Sequence, residues 1–274
     1  MHKEEVVNRI RGLLSGGDIW IFDLTGAAAP RRLTFTGRNS RPIWTRDGER
    51  IVFASERDGS NGIFSQRADT PGSAELLTKL EQNSGILQPD SWSRAGTLLF
   101  TADPGGPSSI WMLSPRAGQK PTPLIPKPST ISSFSPDGRW VVYESNVSGR
   151  WQVYVKPFPI TDAIYQISTG GGHYPLWSPD GKQLYYATDE VGGGSQIISV
   201  DVQTQPTFAV LKTTPLPVKG ILSNQGRGGF DITPDGKYFV VLLPQSADAG
   251  KAPAAQINIT LNWFDELKQR VPVQ

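Results

Sequence analysis

At 274 residues with a formal net charge of +2 and no dense run of Lys or Arg, the chain lacks the electrostatic footprint of a nucleic-acid binder. No stretch approaches the roughly 20 consecutive apolar residues of a membrane-spanning helix, and the absence of Cys removes disulfides, thiol nucleophiles and thiolate metal sites together. The 29 Gly and 23 Pro recur along the whole chain between short apolar runs, a composition of many strands and turns in one domain.

Residues 1–16 mix Lys3, Glu4, Glu5, Arg9 and Arg11 with Val6, Val7, Ile10, Leu13 and Leu14, without the continuous apolar core of a secretory signal; they are expected to be a leader outside the fold. Asp18-Ile19-Trp20-Ile21 and Arg32-Leu33-Thr34 match the third and fourth strands of a four-stranded unit, with no first pair before them. From there a five-residue pattern repeats: Trp44-Thr45-Arg46-Asp47-Gly48, Trp92-Ser93-Arg94-Ala95-Gly96, Phe134-Ser135-Pro136-Asp137-Gly138, Trp177-Ser178-Pro179-Asp180-Gly181 and Ile232-Thr233-Pro234-Asp235-Gly236. Its glycines are about 42 to 55 residues apart, close to the length of a propeller blade.

Each copy suits a hairpin turn, in which Pro pre-sets φ, Asp bonds the backbone just downstream and Gly takes the left-handed conformation. Because Asp is favoured there for its local hydrogen bond alone, Asp47, Asp137, Asp180 and Asp235 are assigned no chemistry. After the turns come second strands at Ile51–Phe53, Leu98–Phe100, Trp140–Tyr143, Leu184–Tyr186 and Tyr238–Val241. These runs are continuously apolar, as expected of strands covered on both faces. Third strands follow at Ile63–Phe64, Ile110–Met112, Val153–Val155, Ile197–Ile198 and Ile257–Ile259. Weaker, more polar fourth strands lie near Leu76–Thr78, Leu124–Ile125, Gln166–Ser168 and Val210–Leu211. The helical pattern of Leu261–Val271, stopped by Pro272, places a helical tail at residues 265–274 after a propeller of residues 17–264.

The expected fold is therefore an all-β β-propeller of four-stranded antiparallel blades. Six blade positions with an incomplete first blade are favoured over five.

The aromatic-Ser-Pro-Asp-Gly pattern, with its Asp-Ile-Trp and Arg-Leu-Thr elements, resembles the repeats of TolB and related bacterial WD-like propellers over Gly17 to about Leu242. Two further segments, Trp151–Pro159 and Gln256–Lys268, look like parts of the C-terminal propellers that soil bacteria attach to eukaryotic-like serine/threonine kinases. That likeness implies a sensor module within a larger parent protein carrying an N-terminal kinase domain, and a periplasmic or extracytoplasmic location. The kinase motifs themselves do not occur in this sequence, so kinase activity is not expected.

His173, in Gly170-Gly171-Gly172-His173-Tyr174-Pro175, is the candidate for any histidine-dependent base, because the other histidine, His2, lies in the unpatterned N-terminus. The alternative is a loop imidazole bonded to the backbone or facing water. Second strands run toward the same rim and bring Glu56, Asp103, Glu144 and Asp189 with them, a set of oxygen ligands suited to Ca²⁺ if the four converge. Carboxylates at such a margin are more often simply solvated. Asn39, Gln88, Asn146, His173 and Arg227 are candidate contacts for a polar ligand. Trp111, Trp151 and Trp263 would serve either docking or packing between blades.

Two functions fit. One is a non-catalytic binding or sensor propeller taking a protein, peptide or glycan at the channel rim, as the resemblance implies. The other is a Ca²⁺-dependent propeller hydrolase acting on lactones, esters or phosphotriesters.

Overall fold

The repeated turns close through one set of side-chain bonds. In the computed structural model the hydroxyls of Thr45, Ser135, Ser178 and Thr233 each donate to Oδ1 of the Asp two residues on, at 2.6 Å. The same Oδ1 accepts the N–H of Glu49, Arg139, Lys182 or Lys237. Each hydroxyl oxygen in turn accepts the first N–H of the next strand, from Arg50, Trp140, Gln183 or Tyr238. Gly48, Gly138, Gly181 and Gly236 close the turns at φ of 72 to 74°. The second copy has Ala95 in place of Asp, and Ser93 Oγ alone accepts the N–H of Thr97. Hydrogen bonds from Thr45 and Thr233, with those backbone N–H groups, hold Asp47 and Asp235 below the ordinary carboxyl range.

The described residues are 5–8, 17–23, 27–57, 59–70, 72–79, 85, 87–103, 106–114, 119–189, 195–218, 221, 229–241 and 258–260. They form six antiparallel sheets and no helix. The first joins β1 (Glu5–Asn8), β2 (Trp20–Asp23) and β3 (Arg31–Arg32). The second runs β4 (Arg38–Trp44), β5 (Arg50–Arg57), β6 (Ser60–Arg67) and β7 (Glu75–Lys79). The third runs β8 (Leu87–Trp92), β9 (Leu98–Ala102), β10 (Ser109–Leu113) and β11 (Thr122–Ile125). The fourth runs β12 (Ser129–Phe134), β13 (Trp140–Ser145), β14 (Gln152–Pro157) and β15 (Tyr165–Gln166). The fifth runs β16 (His173–Trp177), β17 (Gln183–Ala187), β18 (Ile197–Gln203) and β19 (Ala209–Pro215). The sixth has β20 (Phe230–Ile232), β21 (Phe239–Val241) and β22 (Asn258–Thr260).

Four complete blades thus lie between two three-stranded sheets. One detail departs from expectation: Glu5–Asn8, placed before the fold on sequence, pairs with Trp20–Asp23 as a strand of the first sheet. The helical pattern of Leu261–Val271 lies outside the described residues.

The continuous apolar runs are explained by which neighbour each side chain meets. On β13, Val141 and Tyr143 pack with Leu99 and Ile110 of the third sheet, whereas Trp140 and Val142 pack with Trp177, Leu184 and Tyr186 of the fifth. On β17 the alternation repeats: Leu184 and Tyr186 face the fourth sheet, and Tyr185 and Ala187 face Phe230, Phe239 and Val241 of the sixth. Both faces of these strands are interior, so period-two polarity has no place to develop. Trp111 stacks on Phe100 with ring centroids 6.4 Å apart and donates Nε1–H to Ser109 Oγ, a packing role.

The turn motif also interlocks adjacent blades. A Cβ added to Gly181 would lie 3.5 Å from Pro136 Cδ of the preceding turn, and one on Gly236 would lie 3.5 Å from Pro179 Cδ. Proline and glycine therefore meet across successive seams, a constraint additional to the local turn.

Candidate functional site

First strands of successive sheets touch one another, β4 with β8, β8 with β12 and β12 with β16, which places them around the common axis. In all four the ladder slips near the start of the strand, after Ser40, after Thr130 and after His173, and one residue later, after Pro89, on β8. Arg41, Ile131 and Tyr174 sit in these bulges at φ of 56, 47 and 56°, a region that residues other than Gly avoid. Such a conformation costs about 1 to 3 kcal/mol and persists only where the surroundings impose it.

For Ile131 and Tyr174 the preceding sheet supplies an acceptor to the bulged N–H. Opposite Gln88 and Thr130 on the second strands stand Thr101 and Glu144. Thr101 Oγ1 accepts the bulged N–H of Ile131 at 3.0 Å, and Glu144 Oε1 accepts that of Tyr174. The residue at the same register of β5 is Ala54, and the β8 residue three before the motif aromatic, where Ile131 and Tyr174 stand on their strands, is Pro89, which has no N–H to offer. At these three seams acceptor and donor are thus present together or missing together. Asp90, buried on β8, adds a second link between the third and fourth sheets: its Oδ2 accepts from Thr101 Oγ1 at 2.7 Å and from Ser132 Oγ and N–H at 3.1 and 3.2 Å.

Glu144 does more than hold a backbone. Its other oxygen faces Nδ1 of His173 at 3.4 Å, while His173 Nε2 lies 2.9 Å from Asp189 Oδ1. Arg150 Nε donates to Asp189 Oδ2 at 3.0 Å, joined by Nη2 of the same guanidinium. With both carboxylates ionised, acceptors at both ring nitrogens are satisfied together only by the imidazolium, which donates from both. The His173 pKa is accordingly raised, first by the bond to Glu144, with burial opposing and Asp189 reinforcing. Burial pushes the Glu144 carboxyl above its ordinary value despite His173, the Tyr174 N–H and the charge of Arg41. Burial acts the same way on Asp189, but bonds from Arg150 and His173 outweigh it and leave that carboxyl lowered.

The glycines before His173 follow from this packing. A Cβ on Gly171, where φ is 96°, would fall 2.6 Å from the Asp189 carboxyl, and one on Gly172 would fall 2.6 Å from Ser168 Oγ. The loop passes flush against both side chains.

Of the candidates read from sequence, His173, Glu144 and Asp189 come together. Glu56 pairs instead with Arg38 at 3.4 Å, and Asp103 accepts the Gly106 N–H at 2.7 Å. Among the described residues no group of three or more His, Cys, Asp or Glu is placed to hold a metal ion. The ring of Glu56, Asp103, Glu144 and Asp189 expected for Ca²⁺ therefore does not form, because each carboxylate is engaged within its own or the adjacent blade. Asn39 also needs correction as a ligand contact. It is 1% exposed, donates to the carbonyls of Thr36 and Gly37, and accepts from Ser55 Oγ and Arg57.

Gln88 is half-buried on β8 beside the bulge. Asn146 is half-buried, its backbone bonded to Pro128 and Gly149 and its Oδ1 enclosed without a partner. Arg227 lies outside the described residues. Arg41, Asp90 and Arg150 were missed, and of these only Asp90 left a trace, a charge inside a strand two residues before the motif tryptophan.

No family model matches the chain, and no curated protein matches it. Solved structures do. TolB from Acinetobacter baumannii is 20% identical with a TM-score of 0.64, over 83% of this chain and 54% of that one. The fold is a TolB-like β-propeller. A protein assigned as TolB from Agrobacterium tumefaciens is 18% identical with a TM-score of 0.59, over 80% of each chain. A protein assigned as a 6-phosphogluconolactonase from Bacteroides uniformis is 18% identical with a TM-score of 0.51, over 87% of this chain and 74% of that one. This propeller spans about half the length of the Acinetobacter protein.

Proposed function

We propose that this TolB-like propeller is a non-catalytic binding module that takes a protein or peptide segment at the end of the channel where the bulged first strands begin. The carrying observation is the state of the rim's titratable groups. His173, Glu144, Asp189 and Arg150 bond one another across a blade seam, so the imidazole is bound at both nitrogens instead of poised to take a proton from substrate. Around the cluster, first strands of four sheets bring half-exposed Arg41, Gln88, Thr130 and Tyr174 within one residue of the same level, a mixture of cation, amide, hydroxyl and phenol suited to an extended polar segment.

The similarity to TolB structures supports the same function at the level of fold. The likeness of Trp151–Pro159 to kinase-linked propellers supports a sensor placed beside another domain.

Selection of a displayed random-peptide library against the purified chain tests this proposal, together with hydrolysis assays on ester, lactone and phosphotriester substrates with and without chelator. Rim binding predicts peptides whose affinity falls about tenfold or more in R41A and Q88A, the loss of one good polar contact. Turnover that chelator abolishes, or binders indifferent to both substitutions, refutes it; selection on a glycan array instead of peptides would reassign the ligand class.

A further inference from the structure

We propose that the His173 cluster is a proton-operated latch on the seam between the fourth and fifth sheets, closed while the imidazolium bridges Glu144 to Asp189 and loosened once the ring is neutral. Besides the Tyr174 N–H bond to Glu144, two side-chain links cross this seam among the described residues. His173 on β16 reaches Glu144 on β13, and Arg150, in the loop after β13, reaches Asp189 just beyond β17. The charged groups facing the imidazole are therefore Glu144 from the fourth sheet and Asp189 from its own, with Arg150 behind Asp189 and Arg41 of β4 acting on Glu144.

Loss of the ring proton changes both contacts at once. A neutral imidazole has one N–H, so one of the two carboxylates then faces a lone pair, and the cation between them is gone. Arg150 continues to hold Asp189, so the weaker side is Glu144, whose contact is already the longer at 3.4 Å against 2.9 Å. Glu144 is 3% exposed, and a buried carboxylate deprived of its cation is costly to retain. Through its other oxygen it also fixes the Tyr174 N–H, in a bulge at φ of 56°. Opening of the latch therefore releases Tyr174 where the first strand begins. This latch stands on the cross-seam geometry and does not depend on the ligand proposed above.

The chain has two histidines, so proton NMR of the full chain, with H2Q used for assignment, follows the His173 ring directly. The latch predicts a His173 midpoint above that of His2, lowered in D189N and in E144Q. Hydrogen exchange of the amides of His173, Tyr174, Leu176 and Trp177, corrected for intrinsic rate, should then step upward through the same midpoint. Each pH unit between native and unfolded midpoints corresponds to about tenfold in the opening equilibrium. In H173Q the step should be absent.

A midpoint at or below that of His2, an exchange profile without a step at the midpoint, or an equal step in H173Q overturns the latch. Should H173Q fail to fold, D189N serves in its place, with the step expected at lower pH in register with its lowered midpoint.

Discussion

Replacing Asp90 with Ala tests whether the third and fourth sheets are joined by a side-chain link as well as by apolar packing. The carboxylate is 5% exposed, and its Oδ2 accepts from the Thr101 hydroxyl, the Ser132 hydroxyl and the Ser132 N–H. In D90A the hydroxyls rotate to other acceptors, but the Ser132 N–H is fixed by the bulge and loses this partner. Hydrogen bonds to a charged group contribute about 1.5 to 3 kcal/mol, and an orphaned buried donor costs about 1 to 3 kcal/mol. Relief from burying a charge offsets part of this, leaving an expected loss of about 2 to 4 kcal/mol. D90N keeps a carbonyl oxygen at the site and should lose roughly half as much. Urea unfolding at neutral pH reads both, with the midpoint moving and the slope unchanged. In a double-mutant cycle, S132A should couple to D90A by more than about 0.5 kcal/mol. Stability of D90A within about 0.5 kcal/mol of wild type, or additivity with S132A, would show that the Asp90 link adds nothing to this seam.

Three further outcomes are expected. Gly171→Ala places a methyl against the Asp189 carboxyl in a left-handed conformation, so it should cost about 1 to 3 kcal/mol in denaturant and also lower the His173 midpoint by displacing Asp189. Asp189 sets an acid limb: its pKa is lowered on folding, so its contribution is present above its ordinary value of 3.8 and lost as pH falls through the folded value. Stability of wild type measured against D189N should therefore show a difference that closes toward low pH. Val142→Ala, in a fully buried position between the fourth and fifth sheets, should cost about 2 to 4 kcal/mol by opening a cavity, and an unchanged thermal midpoint would count against the alternating contacts assigned to β13.

Most of the architecture was legible in the amino-acid order because it depends on local chemistry. Ser-Pro-Asp-Gly closes a turn by bonds among residues within five positions, and a run such as Trp140-Val141-Val142-Tyr143 is apolar throughout because both faces are covered. His173, Glu144 and Asp189 were also identifiable, since strand direction brings the start of first strands and the end of second strands to one rim. Their partners were not. Arg150 meets Asp189 across 39 positions, Asp90 meets Ser132 across 42, and Glu144 meets the Tyr174 N–H across 30. Pairings of that range depend on how neighbouring sheets are set against each other. The same rim carboxylates that would surround a cation if all four turned inward are instead drawn to an arginine, a backbone N–H and an imidazole supplied by the packing. Local sequence thus determined the blades and the end of the strands at which the candidate residues lie, and the seams between blades determined which partners those residues meet.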